Sequence, residues 1–142
     1  MPDVVKFPAE STNADDWKPI WPQVPIPEED ILKGSWEAGK IHWLRCDDSR
    51  DTDLPLQSCV HYTEEDVTIR VNIHGDEFIY VLEGEFIIEL DDGPTHTFKA
   101  GDAVYFEHGL SGQWTYKAPF RQFVTIVYVQ GGSADRTELE ER

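Results

Sequence analysis

Two side chains that can bind metals and exchange protons lie close together in the sequence, at His74 and Glu77. They stand near a predicted turn between two strands, where a bulge could re-aim either side chain so that both face the same opening. An imidazole and a carboxylate suit divalent metals such as Mn, Fe, Ni or Zn. The alternative for His74 is an exposed turn residue that contacts no ligand.

Glu77 immediately precedes the apolar run at 78–82, so we expect its carboxylate to be partly buried. A buried carboxylate needs a hydrogen-bonding or charged partner, or else a raised pKa. Two interpretations follow. Glu77 either lines a ligand pocket or forms a structural ion pair, with Arg70 or Arg121 as the partner.

Trp114 and Tyr116 lie two residues apart in a predicted strand, so their side chains project to the same face. They either line a pocket or pack in the core. Arg121 begins the closing strand and, with His74, Glu77, Trp114 and Tyr116, makes up the predicted ligand-binding set. Other side chains could add ligands, at positions that spacing alone does not fix: His61, His96, His108 and Gln113.

A series of short strands must position these side chains. Apolar and polar residues alternate over 67–74, the period of two that is typical of a strand with one apolar face. Apolar runs follow at 78–82 and 86–90, and 91–93 is a strong hairpin signal. Further strands are predicted at 40–45, 57–62, 95–98, 103–106, 113–116 and 121–129. Short strands with regular turn signals predict an antiparallel sandwich or barrel.

The residues around these turns resemble the two motifs of the cupin superfamily. The motifs are Glu77-x6-Gly84 and Gly101-Asp102-Ala103-Val104-Tyr105-Phe106-x-x-Gly109. A closer resemblance, to small single-domain cupins grouped with (S)-ureidoglycine aminohydrolase, rests on 28–35, 76–85 and 109–114. It spans roughly residues 26 to 128. The resemblance implies an all-β fold, the double-stranded β-helix or jelly-roll barrel of RmlC-like cupins, with ligands bound in its mouth.

Metal-bearing cupins use a His-x-His pair, a Glu shortly after it, and a fourth His in the second motif. Glu77 matches the glutamate of this pattern. The paired histidines would fall at positions 71 and 73, or 70 and 72, which hold Val and Ile, or Arg and Asn. The fourth ligand would fall at Gly112. The resemblance therefore implies no complete cupin metal site. No cofactor is predicted, and any divalent metal would be held by His74 and Glu77.

The 142 residues fit one domain, divided into a proline-rich arm (1–27), a cupin domain (28–130) and a polar tail (131–142). The formal net charge is −16, which disfavours nucleic acid and anionic membranes as partners because both bind through Lys and Arg. The sequence shows neither a signal peptide nor a membrane span, so we expect a cytoplasmic protein. We expect Trp17, Ile20 and Trp21 in the arm to pack on the barrel wall or on a partner subunit, and we expect a homodimer that forms through the arm or through an outer sheet.

Three functions remain open. The first is a small-molecule-binding cupin that holds a polar metabolite between His74, Glu77 and Trp114. The second is a metal-dependent enzyme of the ureidoglycine aminohydrolase type, acting on a small ureido or amino compound. The third is an accessory protein that meets a basic partner through its acidic surface. No catalytic residue is assigned, because nucleophile elbows, phosphate loops and dinucleotide fingerprints are lacking.

Overall fold

The structure, a computed structural model, describes residues 17–20, 24, 26–47, 56–73 and 75–128. For 43–47 and 128 it describes the backbone alone. The predicted ligand His74, Trp21 of the arm and the predicted tail at 131–142 lie outside the described residues. The predicted domain boundaries therefore stay predictions.

The described residues form short and long β-strands with two single-turn 3₁₀ helices. The strands are β1 (Lys18–Pro19), β2 (Ile31–Lys33), β3 (Gly39–Asp47), β4 (Leu56–Thr63), β5 (Val67–Asn72), β6 (Gly75–Leu90), β7 (Thr95–Lys99), β8 (Ala103–Phe106) and β9 (Ser111–Tyr128). The 3₁₀ helices are Glu28–Asp30 and Trp36–Ala38. Across the described ranges, no helix has the length and apolarity needed to cross a membrane.

Two long strands, β6 with 16 residues and β9 with 18, hold the fold together. The first part of β6 pairs with β8 and its second part with β7, while β9 pairs first with β5 and then with β4. The two long strands also pair with each other along most of their length, and every pairing is antiparallel. One curled sheet results, with the strands β1, β3, β4, β9, β6 and β8 in one half. The other half contains β2, β5, β9, β6 and β7.

Both long strands bend where the sheet curls. At each of these two places the sequence predicted that one strand ends and another begins. We predicted separate strands on either side of 83–85 and of 117–119, and the structure has one strand in each place. Gly84 explains the difference, because its φ of +84° lets β6 bend without ending. Pairing resumes from Glu83 opposite Arg121 to Glu85 opposite Lys117, with a register shift between them.

Aromatic rings fill the space between the two halves of the sheet. Phe86 and Phe120 have 0% exposure, and the ring of Tyr116 lies 4.8 Å from the first and 4.9 Å from the second, centroid to centroid. Such aromatic contacts contribute beyond the area they bury. Next to this cluster the two halves separate and leave a cavity.

Candidate functional site

The cavity has a volume of about 160 Å³ and lies between the inner faces of β3, β4, β5, β6 and β9. Most of its wall is isoleucine, valine and tryptophan. The arm supplies part of that wall through Ile20, Val24 and Ile26, and the indole of Trp36 donates a hydrogen bond to the carbonyl oxygen of Val24 at 2.8 Å. A small group of polar side chains interrupts the apolar wall: Gln57, His61, Asn72, Glu77, Tyr116 and Gln122. An apolar pocket with a few convergent polar groups is typical of ligand sites.

Strand alternation places the polar residues of β4 in this cavity. Gln57, Cys59 and His61 occupy every second position of the strand, so all three project to the inner face. Ser58 projects to the outer face, where its hydroxyl lies 3.1 Å from that of Thr125. Only 3% of His61 is exposed. β4 therefore carries a buried polar row into an otherwise apolar space.

The same alternation places Gln122 of β9 in the cavity, directly opposite His61 in the β4–β9 pairing. The side-chain nitrogen Nε2 of Gln122 lies 3.0 Å from Nδ1 of His61. Because an amide NH₂ can only donate, Nδ1 accepts this hydrogen bond and the ring proton of His61 sits on Nε2. The two side chains thus form a buried pair, which we call the His61–Gln122 pair.

Rings enclose the imidazole of His61 on several sides. Their centroids lie 5.4 Å away for Trp36, 5.2 Å for Tyr116 and 6.2 Å for Phe120. Burial disfavours the charged form and lowers the pKa of His61 from 6.5 to about 4. His61 is therefore a neutral hydrogen-bonding group at physiological pH rather than a cation.

Two atoms of the His61–Gln122 pair are buried without a hydrogen-bonding partner among the described residues, Nε2 of His61 and Oε1 of Gln122. Leaving such a group unsatisfied costs about 1–3 kcal/mol. Nearly all buried polar side-chain atoms in proteins have a partner, so an exception needs an explanation. A bound molecule that supplies an acceptor to one atom and a donor to the other would remove this cost.

Glu77 lies half-buried on β6 and contributes a carboxylate to the cavity wall. The pKa of the Tyr116 phenol is raised, chiefly by burial and further by the charge of Glu77. The two proposed structural partners of Glu77 have described ion pairs elsewhere. Arg70 forms a two-pronged pair with Asp91, and Arg121 lies 3.9 Å from Glu83. Glu77 carries the one formal charge among the described residues that line the cavity.

Three of the five predicted ligand-binding residues come together here, because Glu77, Trp114 and Tyr116 all line the cavity. Arg121 does not line it. Its guanidinium lies on the outer face of the sheet, 4.6 Å from the ring of Tyr62 and 5.5 Å from that of Trp17. The predicted ligand contact of Arg121 stays a prediction, without support from this cavity.

Three of the four further candidates from the sequence, His96, His108 and Gln113, lie away from the cavity wall, whereas His61 lines it. Nδ1 of His108 is 2.8 Å from a carboxylate oxygen of Asp76, and this hydrogen bond lowers the pKa of Asp76. His96 stacks on Phe98 at 6.2 Å between ring centroids. Gln113 is exposed on β9. None of the three lines the cavity.

The residues at the cupin metal positions do not fit a four-ligand metal centre. A β-carbon at Gly112 would lie 2.3 Å from the carbonyl oxygen of Glu89, so no ligating side chain can stand there. Val71 and Ile73 line the cavity and cannot bind a metal. Within the part of the chain that the structure describes, no three His, Cys, Asp or Glu residues lie close enough to share one.

Comparisons with known proteins agree with this fold. Residues 66–123 match the family described as the EutQ-like cupin domain. An RmlC-like cupin from Shewanella frigidimarina is 14% identical and has a TM-score of 0.51, with 75% of this chain and 90% of that one covered. A Rhizobium leguminosarum protein of unknown function gives 15% identity, a TM-score of 0.56 and coverages of 89% and 98%. A cupin superfamily protein from Desulfitobacterium hafniense is 14% identical and has a TM-score of 0.53, with 69% of this chain and 84% of that one covered. No curated protein matches the chain. The predicted all-β cupin fold is confirmed.

Proposed function

We propose that this chain, a cupin with a EutQ-like domain over residues 66–123, binds a small uncharged molecule in its cavity. The observation that carries the proposal is the His61–Gln122 pair, which has one donor and one acceptor buried without partners. A ligand that both donates and accepts hydrogen bonds, such as a primary carboxamide, matches that pair. Its apolar part would lie against Trp114 and the isoleucines of the wall.

The charge of the ligand follows from the charges of the wall. The buried polar groups His61 and Tyr116 are neutral near pH 7, since His61 has a pKa of about 4 and the pKa of Tyr116 is raised. An anion would meet no cationic side chain among the described lining residues, and it would be repelled by Glu77. Moving any charged group into an apolar cavity is costly unless a counter-charge pairs with it. An uncharged ligand avoids that cost.

Three probes of matched carbon chain and different charge test the proposal: butyramide, butyrate and butylamine. A cavity of about 160 Å³ is comparable to one that holds benzene, so all three fit. We expect butyramide to bind with a Kd of about 1 mM, and butyrate to bind at least about tenfold more weakly. Butylamine could pair with Glu77, but its ammonium offers no acceptor to the Nε2 proton of His61, so we expect it to bind less tightly than butyramide. Shifts of the His61 ring signals in NMR titrations measure the binding. Tighter binding of butyrate or butylamine, or no binding of butyramide at about 50 mM, would contradict the proposal.

Adjacent residues on β9 supply a matched pair of variants. Gln122→Met keeps the side-chain length but removes the amide, and we expect it to weaken butyramide binding about tenfold, for the loss of about 1.4 kcal/mol of hydrogen bonding. Arg121→Met changes the neighbouring side chain on the opposite face, and we expect unchanged affinity. If Arg121→Met weakened binding and Gln122→Met did not, the prediction that Arg121 contacts the ligand would be supported, and a site at the His61–Gln122 pair would be contradicted.

The second hypothesis from the sequence, a metal-dependent enzyme of the ureidoglycine aminohydrolase type, gains no support from the described residues. Gly112 leaves no room for the fourth ligand, and the finer grouping with that enzyme stays a prediction. Elemental analysis of the purified protein tests it. Near-stoichiometric Mn, Fe, Ni or Zn that is lost in Glu77→Ala would favour the enzyme over the binding protein.

A further inference from the structure

The polar residues of the cavity wall lie at two levels, which the strand pairing defines. β9 runs between β4 and β6 in this half of the sheet, so one residue from each strand forms a row across it. His61 lies opposite Gln122, in what we call the inner row. Gln57 and Glu77 both lie opposite Ile126, one on each side of it, and we call these three residues the outer row.

The row between these two levels is apolar. Cys59 lies opposite Val124, which in turn lies opposite Ile79, and all three belong to the buried core. A thiol in such a place behaves as a small apolar group. Along β4 and β9 the inner and outer rows are four residues apart, which corresponds to about 13 Å. An apolar stretch therefore separates two polar ends of the same cavity.

The inner row is the closed end of the cavity and the outer row is its open end. Behind the inner row, the rings of Tyr116 and Phe120 lie 5.2 Å and 6.2 Å from that of His61. In the outer row, Glu77 and Ile126 are both half-buried and so retain contact with solvent. An elongated ligand whose carboxamide occupies the inner row therefore has its other end beside Glu77.

We propose that the ligand is an ω-hydroxyalkanamide, whose carboxamide binds the inner row and whose terminal hydroxyl binds the outer row. This inference rests on the proposed function, which fixes the carboxamide at the His61–Gln122 pair. The carboxylate of Glu77 accepts the hydroxyl proton, and its two oxygens allow this beside any other contact it makes. The amide of Gln57 can donate to the hydroxyl oxygen, whereas an ammonium group has no lone pair to accept that hydrogen bond.

The separation of the rows sets the length of the ligand. Side chains stand roughly perpendicular to a sheet, so the polar ends of the two rows keep about the same 13 Å separation as the backbone. A hydrogen bond of about 2.9 Å at each end leaves about 7 Å between the end groups of the ligand. The extended chain of 6-hydroxyhexanamide spans about that distance, since each bond of about 1.5 Å advances a zigzag chain by somewhat less.

Hexanamide and 6-hydroxyhexanamide are a matched pair of probes for the second polar end. We expect the hydroxyl to tighten binding about tenfold, as a hydrogen bond to a charged group does, in NMR titrations that follow the ring signals of His61. In Glu77→Met, which keeps the side-chain length but removes the carboxylate, the two amides should bind equally. The shorter 4-hydroxybutyramide should gain less than about twofold over butyramide, because it does not reach the outer row.

The failure of this inference is distinguishable from that of the proposed function. If hexanamide binds and the hydroxyl brings no gain, the two-ended ligand is overturned while a carboxamide site at the His61–Gln122 pair stands. If neither butyramide nor hexanamide binds, the proposed function fails and the two-ended ligand fails with it. An equal gain from the hydroxyl in Glu77→Met and in the wild type would also overturn the role of the outer row.

The orientation of bound 6-hydroxyhexanamide gives a second readout that needs no variant. Nuclear Overhauser effects should link the methylene beside the amide to the ring of Tyr116, and the methylene beside the hydroxyl to the methyl groups of Ile126. The opposite set of effects, with the hydroxyl end beside Tyr116, would overturn the assignment of the two rows even if the gain in affinity were observed.

Discussion

Replacing Gly84 with alanine is expected to destabilise the protein by about 2–5 kcal/mol. The φ of +84° alone costs a residue with a β-carbon about 1–2 kcal/mol. The added β-carbon would also lie 2.4 Å from the carbonyl oxygen of Pro119 and 2.8 Å from that of Lys117. Relieving such overlap costs about 1–3 kcal/mol more, since both atoms belong to the backbone of β9 rather than to a flexible side chain.

Gly101 provides the matched control for this substitution. Its φ of +96° resembles that of Gly84, but a β-carbon there meets no atom within 4 Å. Gly101→Ala should therefore cost only the backbone part, about 1–2 kcal/mol. Urea unfolding of both variants and the wild type, followed by tryptophan fluorescence, measures the difference. Equal losses in the two variants would mean that β6 and β9 do not approach as closely at the bend as the structure has them.

Acidification is expected to destabilise the wild-type protein by about 3 kcal/mol through His61 alone. Burial lowers the pKa of His61 to about 4, whereas an unfolded imidazole titrates near 6.5. Between these values the unfolded chain binds a proton that the folded chain does not, so the free energy of unfolding decreases as the pH falls from about 6.5 to about 4. A pKa difference of about 2.5 units corresponds to about 3 kcal/mol.

The variant His61→Gln isolates this effect. Carboxylates also lose stabilising contacts in acid, because the hydrogen bond from His108 lowers the pKa of Asp76 and that from Arg70 lowers the pKa of Asp91. Those changes occur in both proteins and cancel in the comparison. Urea titrations from about pH 7.5 to about pH 4.5 measure the free energy of unfolding of both proteins. As the pH falls, the wild type should lose more of it than the variant does, so the difference between them should shrink or change sign. Curves that stay parallel would show that His61 titrates normally in the folded protein.

Strand alternation in the sequence was sufficient to predict much of the fold and part of the site. The period of two placed Trp114 and Tyr116 on one face, and both line the cavity. The same parity, carried along β9, selects Gln122 rather than Arg121, because Phe120, Gln122 and Val124 are all buried on the inner side. Arg121 was chosen because it begins the closing strand, and that choice overlooked the inward residue next to it.

The His61–Gln122 pair is the part of the site that the sequence did not predict. Alternation in β4 would have placed Gln57, Cys59 and His61 on a common face, but it could not have shown which strand lay opposite. The two members of the pair are 61 residues apart in the chain. Their contact exists only because β9 returns to lie beside β4, and sequence patterns report local spacing rather than such long-range pairing.

The position of β9 in the sheet affects when the chain can fold during its synthesis. This strand is the last to be synthesised among those described, yet it lies between β4, β5 and β6 and touches both halves of the curled sheet. A nascent chain that ends before β9 can pair β3 with β4, and β6 with β7 and β8, but it lacks the strand that joins β4, β5 and β6 into one sheet. We therefore expect the complete sheet to assemble only after β9 has left the ribosome, through a slow search for distant pairings.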